Sequence, residues 1–161
     1  MATRVLCIED EFFISELYAR ALNKAGYVTT VCMNGTDGLE VARTGKYDIV
    51  LLDIMIPGTD GTEVLRQLRD PRRSPDFRGK IIITTNLDQD DEARAELEKL
   101  ADAYIVKADI TPNELVSFLQ TIVPPADTTG DEPMAPTELA ATAPQPPGPA
   151  APAPKPPLEN K

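Results

Sequence analysis

The sequence contains no histidine. That removes Ser-His-Asp and Cys-His catalysis and every metal site built on imidazole. The chain cannot carry a phosphohistidine either, so a phosphoryl group that it handled would come from another molecule. Long apolar runs are missing too. No stretch approaches the roughly 18 residues of a membrane span. The N-terminus offers one Arg and a four-residue apolar run, too short for a signal peptide. A cytoplasmic location is the expectation. Basic charge is scarce: 16 Lys and Arg stand against 26 Asp and Glu, for a net charge of -10. Such a balance argues against nonspecific nucleic-acid binding. Cysteine is limited to Cys7 and Cys32, with no C-x-x-C. Both fall in apolar strand patterns and read as reduced, buried small hydrophobes rather than a redox pair.

The 161 residues fit one ordinary domain plus an appendage. Composition changes sharply near Val123. Residues 124–161 hold 12 of the 16 prolines and no aromatic residue. Such a segment cannot bury enough apolar area to offset the entropy of ordering, so a disordered, Pro/Ala-rich acidic tail is expected. Pro144-Gln145-Pro146-Pro147 matches a P-x-x-P ligand, and a solubilising spacer explains the composition equally well.

Residues 1–123 alternate strand and helix signals. Strands are expected at Arg4–Ile8, Val28–Met33, Ile49–Asp53, Lys80–Thr84 and Ala103–Val106. Three are continuous apolar runs, as when both faces of a sheet are covered. In the first helix Phe13, Leu17, Ala21 and Ala25 space for one face, and Gly26 is placed as the stop. Further helices are expected at Gly35–Thr44, Thr62–Arg69 and Asp90–Leu100. The last starts at Thr111, where Thr-Pro-Asn-Glu supplies an N-cap, Pro at N1 and Glu at N3. Five strands alternating with five helices imply an α/β fold, a doubly wound five-stranded parallel sheet with helices on both faces.

The chemistry sits where strand patterns end. Val5-Leu6-Cys7-Ile8 runs into Glu9-Asp10-Glu11, and Ile49-Val50-Leu51-Leu52 into Asp53. Ile81-Ile82-Ile83 runs into Thr84-Thr85, and Tyr104-Ile105-Val106 into Lys107. In open parallel sheets ligands bind at that carboxyl edge. Carboxylates gathered there repel unless a cation lies between them. Mg²⁺ and a lysine meet that need, and both suit a phosphoryl group.

These motifs resemble the receiver domains of two-component response regulators. The resemblance covers about Arg4 to Val123 and is carried by Val5–Glu11, Asp48–Gly61 with its Asp, short hydrophobic step and Pro-Gly-x-Asp-Gly, Ile82–Thr85 and Ala101–Lys107. It implies the flavodoxin-like strand order 2-1-3-4-5. It makes Asp53 the phosphoacceptor, Asp10 a direct Mg²⁺ ligand, Glu9 a ligand through water, and the Met55 backbone carbonyl a further ligand. Thr85 and Tyr104 match the switch pair, and Lys107 the lysine that pairs with the phosphoryl group. Partners implied are a histidine kinase or phosphotransfer protein, met around Phe12, Phe13 and Ser15, and a downstream protein on the face of the fourth helix, fifth strand and fifth helix. The chain would be a monomer or a phosphorylation-dependent dimer.

Three features depart from the family pattern. Ala108 replaces a proline after the lysine, so a trans Lys107–Ala108 bond is expected. Asn86 stands where Ala or Gly is usual, and Met55 and Leu87 put apolar groups beside the phosphoryl position. The segment 70–79 is longer than a minimal loop, and its Arg72, Arg73 and Arg78 could meet an acidic partner or only solvent. The leading reading is a stand-alone response regulator. The alternative is a phosphorylation-independent adaptor using the receiver fold and the Pro-rich tail. A hydrolase is disfavoured, because its second acid would stand at Met55. A dinucleotide-binding domain is disfavoured for want of G-x-G-x-x-G after the first strand.

Overall fold

A computed structural model describes residues 2–86 and 90–126. The expected tail runs over 124–161; its residues from 127 onward and Leu87 lie outside the described residues. Strands and helices alternate as β1 (Arg4–Ile8), α1 (Phe12–Lys24), β2 (Val28–Cys32), α2 (Gly35–Arg43), β3 (Ile49–Leu52), α3 (Gly61–Arg69), β4 (Lys80–Thr85), α4 (Asp91–Leu100), β5 (Ala103–Val106) and α5 (Pro112–Ile122). The sheet is parallel throughout, in the order β2-β1-β3-β4-β5. The expected fold class and strand order are borne out.

Side chains alternate across each strand and divide the core in two. Leu6 and Ile8 join Leu39, Val64, Leu65 and Leu97 on the face covered by α2, α3 and α4. Val5 and Cys7 join Tyr18, Leu22, Leu115 and Leu119 on the face covered by α1 and α5. The central strands are buried on both sides, which is why they read as unbroken apolar runs.

Helix starts are chemically defined. Asn34, Asp60 and Asp90 each accept a hydrogen bond from a backbone N–H of the first turn of α2, α3 and α4. Thr111 and Glu114 form the expected capping box. Gly26 takes φ +98°, a conformation that favours glycine, and ends α1 as expected.

The inward face of α1 differs from the expectation. Phe13 is 79% exposed and Leu17 54% exposed, whereas Ser15, Tyr18 and Leu22 are buried. Ala21 and Ala25 only flank the core. Tyr18 and Leu22 fill the space between Val5, Cys7 and α5, so the helix turns them inward and leaves the first phenylalanines outside. The same rotation buries Ser15, which the resemblance had placed on an exposed surface; its hydroxyl donates to the Phe12 carbonyl.

The long segment between α3 and β4 is partly built into the core. Phe77 and Ser74 are buried. The Ser74 hydroxyl donates to the Gln67 carbonyl. Arg73 lies 3.7 Å from both Glu63 and Asp70.

Candidate functional site

Four strand ends deliver the site. Glu9 and Asp10 follow β1, Asp53 follows β3, Thr84 and Thr85 close β4, and Lys107 follows β5. Because β1 and β3 are neighbours, with Ile8 beside Leu52, their trailing acids meet. One carboxylate oxygen from each of Glu9, Asp10 and Asp53 lies within 4.8 Å of the others. Glu9 and Asp53 are buried, and Asp10 is exposed at the mouth.

Local contacts fix the orientation. Met55 N–H donates to Asp53 Oδ1 at 3.0 Å. Glu11 N–H donates to Glu9 Oε1 at 3.1 Å. The Asp53 backbone is held to β1 by a hydrogen bond from its N–H to the Ile8 carbonyl. Gly61 opens α3 so close to Asp53 that a Cβ there would sit 2.3 Å from the Asp53 carbonyl oxygen. The Pro-Gly-x-Asp-Gly motif thus has two separate uses: Asp60 caps α3, and Gly61 lets that helix abut the acid.

Lys107 enters from the far side. Its ammonium donates to Asp53 Oδ2 at 2.7 Å and touches Glu9 Oε2. Burial opposes the charge on Lys107, but hydrogen bonds and attraction from Asp53 and Glu9 outweigh it, so its pKa stays above the ordinary lysine value. Glu9 moves the other way for a carboxylate. Burial raises its pKa, and the Lys107 contact opposes that shift only in part. The Lys107–Ala108 bond is trans, as expected. A 3₁₀ turn at Lys107–Asp109 follows β5, and the lysine still reaches Asp53.

The donor set is three hard carboxylates with one side open to water. This fits a small divalent cation such as Mg²⁺, which keeps waters and needs only one or two carboxylates. Cys7 lies nearby in the core, but burial pushes its thiol up to about 12, so it stays a protonated hydrophobe. Burial likewise pushes Cys32 up to about 11, and neither cysteine is in a disulfide.

The remaining residues expected at the site divide. Thr85 is fully buried at the end of β4, opposite Val106, and Thr84 is buried beside it. Met55 is 60% exposed, at the mouth rather than in the core. Asn86 reaches across the mouth, its amide nitrogen 3.4 Å from Glu11 Oε1. Tyr104 is half-buried on β5. The Arg94 guanidinium lies over its ring, 4.7 Å from the centroid. Both line a surface cavity of about 440 Å³ with Ile105, Asp109 and Glu114. Sequence reasoning missed the parts of Arg94 and Glu11. Each acts across elements, where no local spacing carries a signal.

Residues 5–120 match the family model for the response regulator receiver domain. The chain belongs to this family. Among curated relatives of this receiver domain, the uncharacterized transcriptional regulatory protein YkoG of Bacillus subtilis is 38% identical over 118 residues, 73% of this chain and 48% of the relative. Transcriptional regulatory protein ResD of the same organism is 32% identical over 121 residues, 75% of this chain and 48% of the relative. The chain spans about half the length of these relatives. The BeF3-activated N-terminal receiver domain of Klebsiella pneumoniae RstA superposes with TM-score 0.64 at 34% identity, covering 74% of this chain and 97% of that one. Response regulator TrrA of Thermotoga maritima, in complex with Mg(2+)-BeF, gives TM-score 0.63 at 31% identity over 75% of this chain and 99% of the other. The receiver domain is a phosphoacceptor module of two-component signalling rather than a classical enzyme. Among the described residues no helix is long and apolar enough to cross a membrane.

Proposed function

We propose that this chain is a stand-alone response regulator that takes a phosphoryl group on Asp53 from a histidine kinase or phosphotransfer protein. The observation that carries the reading is the convergence of Glu9, Asp10 and Asp53, with the Lys107 ammonium against Glu9 and Asp53. In the transfer, an Asp53 carboxylate oxygen bonds to phosphorus as the phosphorus–nitrogen bond of the donor's phosphohistidine breaks. The imidazole leaves with the electron pair of that bond. Lys107 neutralises charge on the phosphoryl oxygens, and Thr85 donates a hydroxyl to one of them. Glu9, Asp10, Asp53 and the Met55 carbonyl would hold Mg²⁺. When bound, the ion would offset the charge of the acids and of the incoming phosphoryl group.

The added charge draws Thr85 toward Asp53, and the space that it leaves admits the Tyr104 ring. The readout surface is then the one formed by α4, β5 and α5, around Arg94, Tyr104 and Glu114. The stand-alone reading rests on the sequence after α5, which is proline-rich and lacks the apolar periodicity of a second domain.

The test is incubation with Mg²⁺ and a small-molecule phosphodonor, read by intact mass beside Asp53→Asn. One added phosphoryl group on the native chain alone, blocked by prior chelation, is expected. No added mass with any donor or with a panel of kinases would overturn the proposal.

A further inference from the structure

We infer that the acidic stretch following Ala126 docks in cis on the basic surface formed by the α2–β3 and α3–β4 loops. The inference does not depend on phosphorylation of Asp53. It starts from a segregation of charge. Between Arg66 and Lys80 there are six bases against Asp70 and Asp76, a net +4 in a chain of net -10. Some of these bases are already paired: Arg69 and Lys80 with Asp102, Arg73 with Glu63 and Asp70. Arg72 and Arg78 are exposed and make no salt bridge among the described residues; the Arg78 guanidinium only donates to the carbonyls of Pro75 and Phe77. Lys46, exposed on the α2–β3 loop beside them, is likewise without a carboxylate among the described residues. The Gly45 backbone next to Lys46 lies against Asp76, which brings the two loops together.

The second observation is where the chain goes. The carbonyls of Val123 and Pro124 are pinned by the Tyr27 hydroxyl at 2.8 Å and the Thr3 hydroxyl at 3.0 Å. Pro125 packs on Gly26. Thr3 directly precedes β1, so the continuing chain departs from the amino end of the sheet. The basic loops sit at the same end. There Arg4, Asp48 and Lys80 form one row: Asp48 N–H donates to the Arg4 carbonyl and Lys80 N–H to the Asp48 carbonyl. That row spans two strand spacings, about 10 Å.

The chain that leaves has complementary charge. Asp127, Asp131, Glu132 and Glu138 follow in succession, and no base occurs before Lys155. Six residues past Ala126 could span up to about 20 Å when extended, twice the length of the row that Asp48, two residues from Lys46, belongs to. A short tether presents such a segment at an effective concentration on the order of millimolar, where half occupancy needs about 4 kcal/mol, reached only if several ion pairs form together at low salt.

The experiment compares amide resonances of the full-length native chain with those of a variant carrying Asp127→Asn, Asp131→Asn, Glu132→Gln and Glu138→Gln. Spectra are taken at about 0.02 M and about 1 M salt, where screening lengths differ several-fold. All four substitutions lie outside the described residues, and none replaces a residue of the core. Docking in cis predicts shift differences confined to Lys46 and residues 70–80 at low salt, absent at high salt, and unchanged on dilution. Lys46→Gln with Arg72→Gln should abolish the effect of neutralising the tail. Loop resonances identical in the two chains at low salt would overturn the inference. Differences that fade on dilution would also overturn it, pointing instead to the tail of a second copy.

Discussion

Replacing Lys107 by Met tests the electrostatics of the site directly. In the native chain the ammonium lies between the Glu9 and Asp53 carboxylates, whose side chains are 1% and 6% exposed. Met fills most of the same volume but leaves two buried anions no more than 4.8 Å apart. At an effective dielectric of ~20, two unit charges at that separation repel by about 3.5 kcal/mol. Removing one partner from a buried charge cluster typically costs about 3–5 kcal/mol, in agreement. Glu9 can relieve the repulsion by taking up a proton. Burial already raises its pKa, and Met removes the lysine contact that opposed the shift. A carboxylate whose folded pKa lies above its unfolded value favours the fold below the unfolded pKa and loses that contribution as pH rises through the folded one. Urea unfolding without divalent ions should therefore show a loss of about 3–5 kcal/mol near pH 8 and a smaller loss at about pH 5. Mg²⁺ should restore more stability to the variant than to the native chain. Adding Asp53→Asn to Lys107→Met should recover the part of the loss due to repulsion, because Glu9 is then left without a second buried anion. A loss below about 1 kcal/mol near pH 8, or the same loss at both pH values, would refute the reasoning.

Two further substitutions probe the scaffold. Asp102 accepts from Ile81 N–H at 2.8 Å and from Arg69; burial raises its pKa, but these hydrogen bonds and the nearby cations hold it below the usual carboxylate range. Asp102→Ala should cost about 1–2 kcal/mol at neutral pH after allowance for its partial exposure. Because a lowered pKa gives stability that is lost as pH falls, the gap to the native chain should close in acid unfolding below about pH 3.9. Phe13→Ser, at a side chain that is 79% exposed, should change stability by no more than about 0.5 kcal/mol in urea melts; a loss of about 3 kcal/mol would instead mean a buried ring.

How far the sequence discloses the molecule depends on the range of the interaction. The strands were legible because Ile49–Leu52 and Ile81–Ile83 are apolar on both faces, which only a covered sheet tolerates. The acids and the lysine were legible because each directly follows such a run. The start of α5 was legible because a capping box is written within four residues. The inward face of α1 was not. Its apolar residues fit two stripes, one through Phe13 and Leu17, the other through Tyr18 and Leu22. Packing against Val5, Cys7 and α5 decides between them, and those partners lie on other elements. The same holds for Arg94 over Tyr104 and for Asn86 against Glu11. The aim of Lys107 past Ala108 was open in the sequence, because the family's proline is absent; a trans bond followed by one 3₁₀ turn delivers it.

The hydroxyls of Tyr27 and Thr3 fasten the end of α5 at the pole of the sheet away from Asp53. A five-residue strand, about 17 Å long, separates that anchor from the acids. A dye or bead attached at Pro125 or Ala126 would sit on the far side and leave the acidic mouth clear. Copies immobilised in this way would turn the mouth formed by Glu9, Asp10 and Asp53 away from the support.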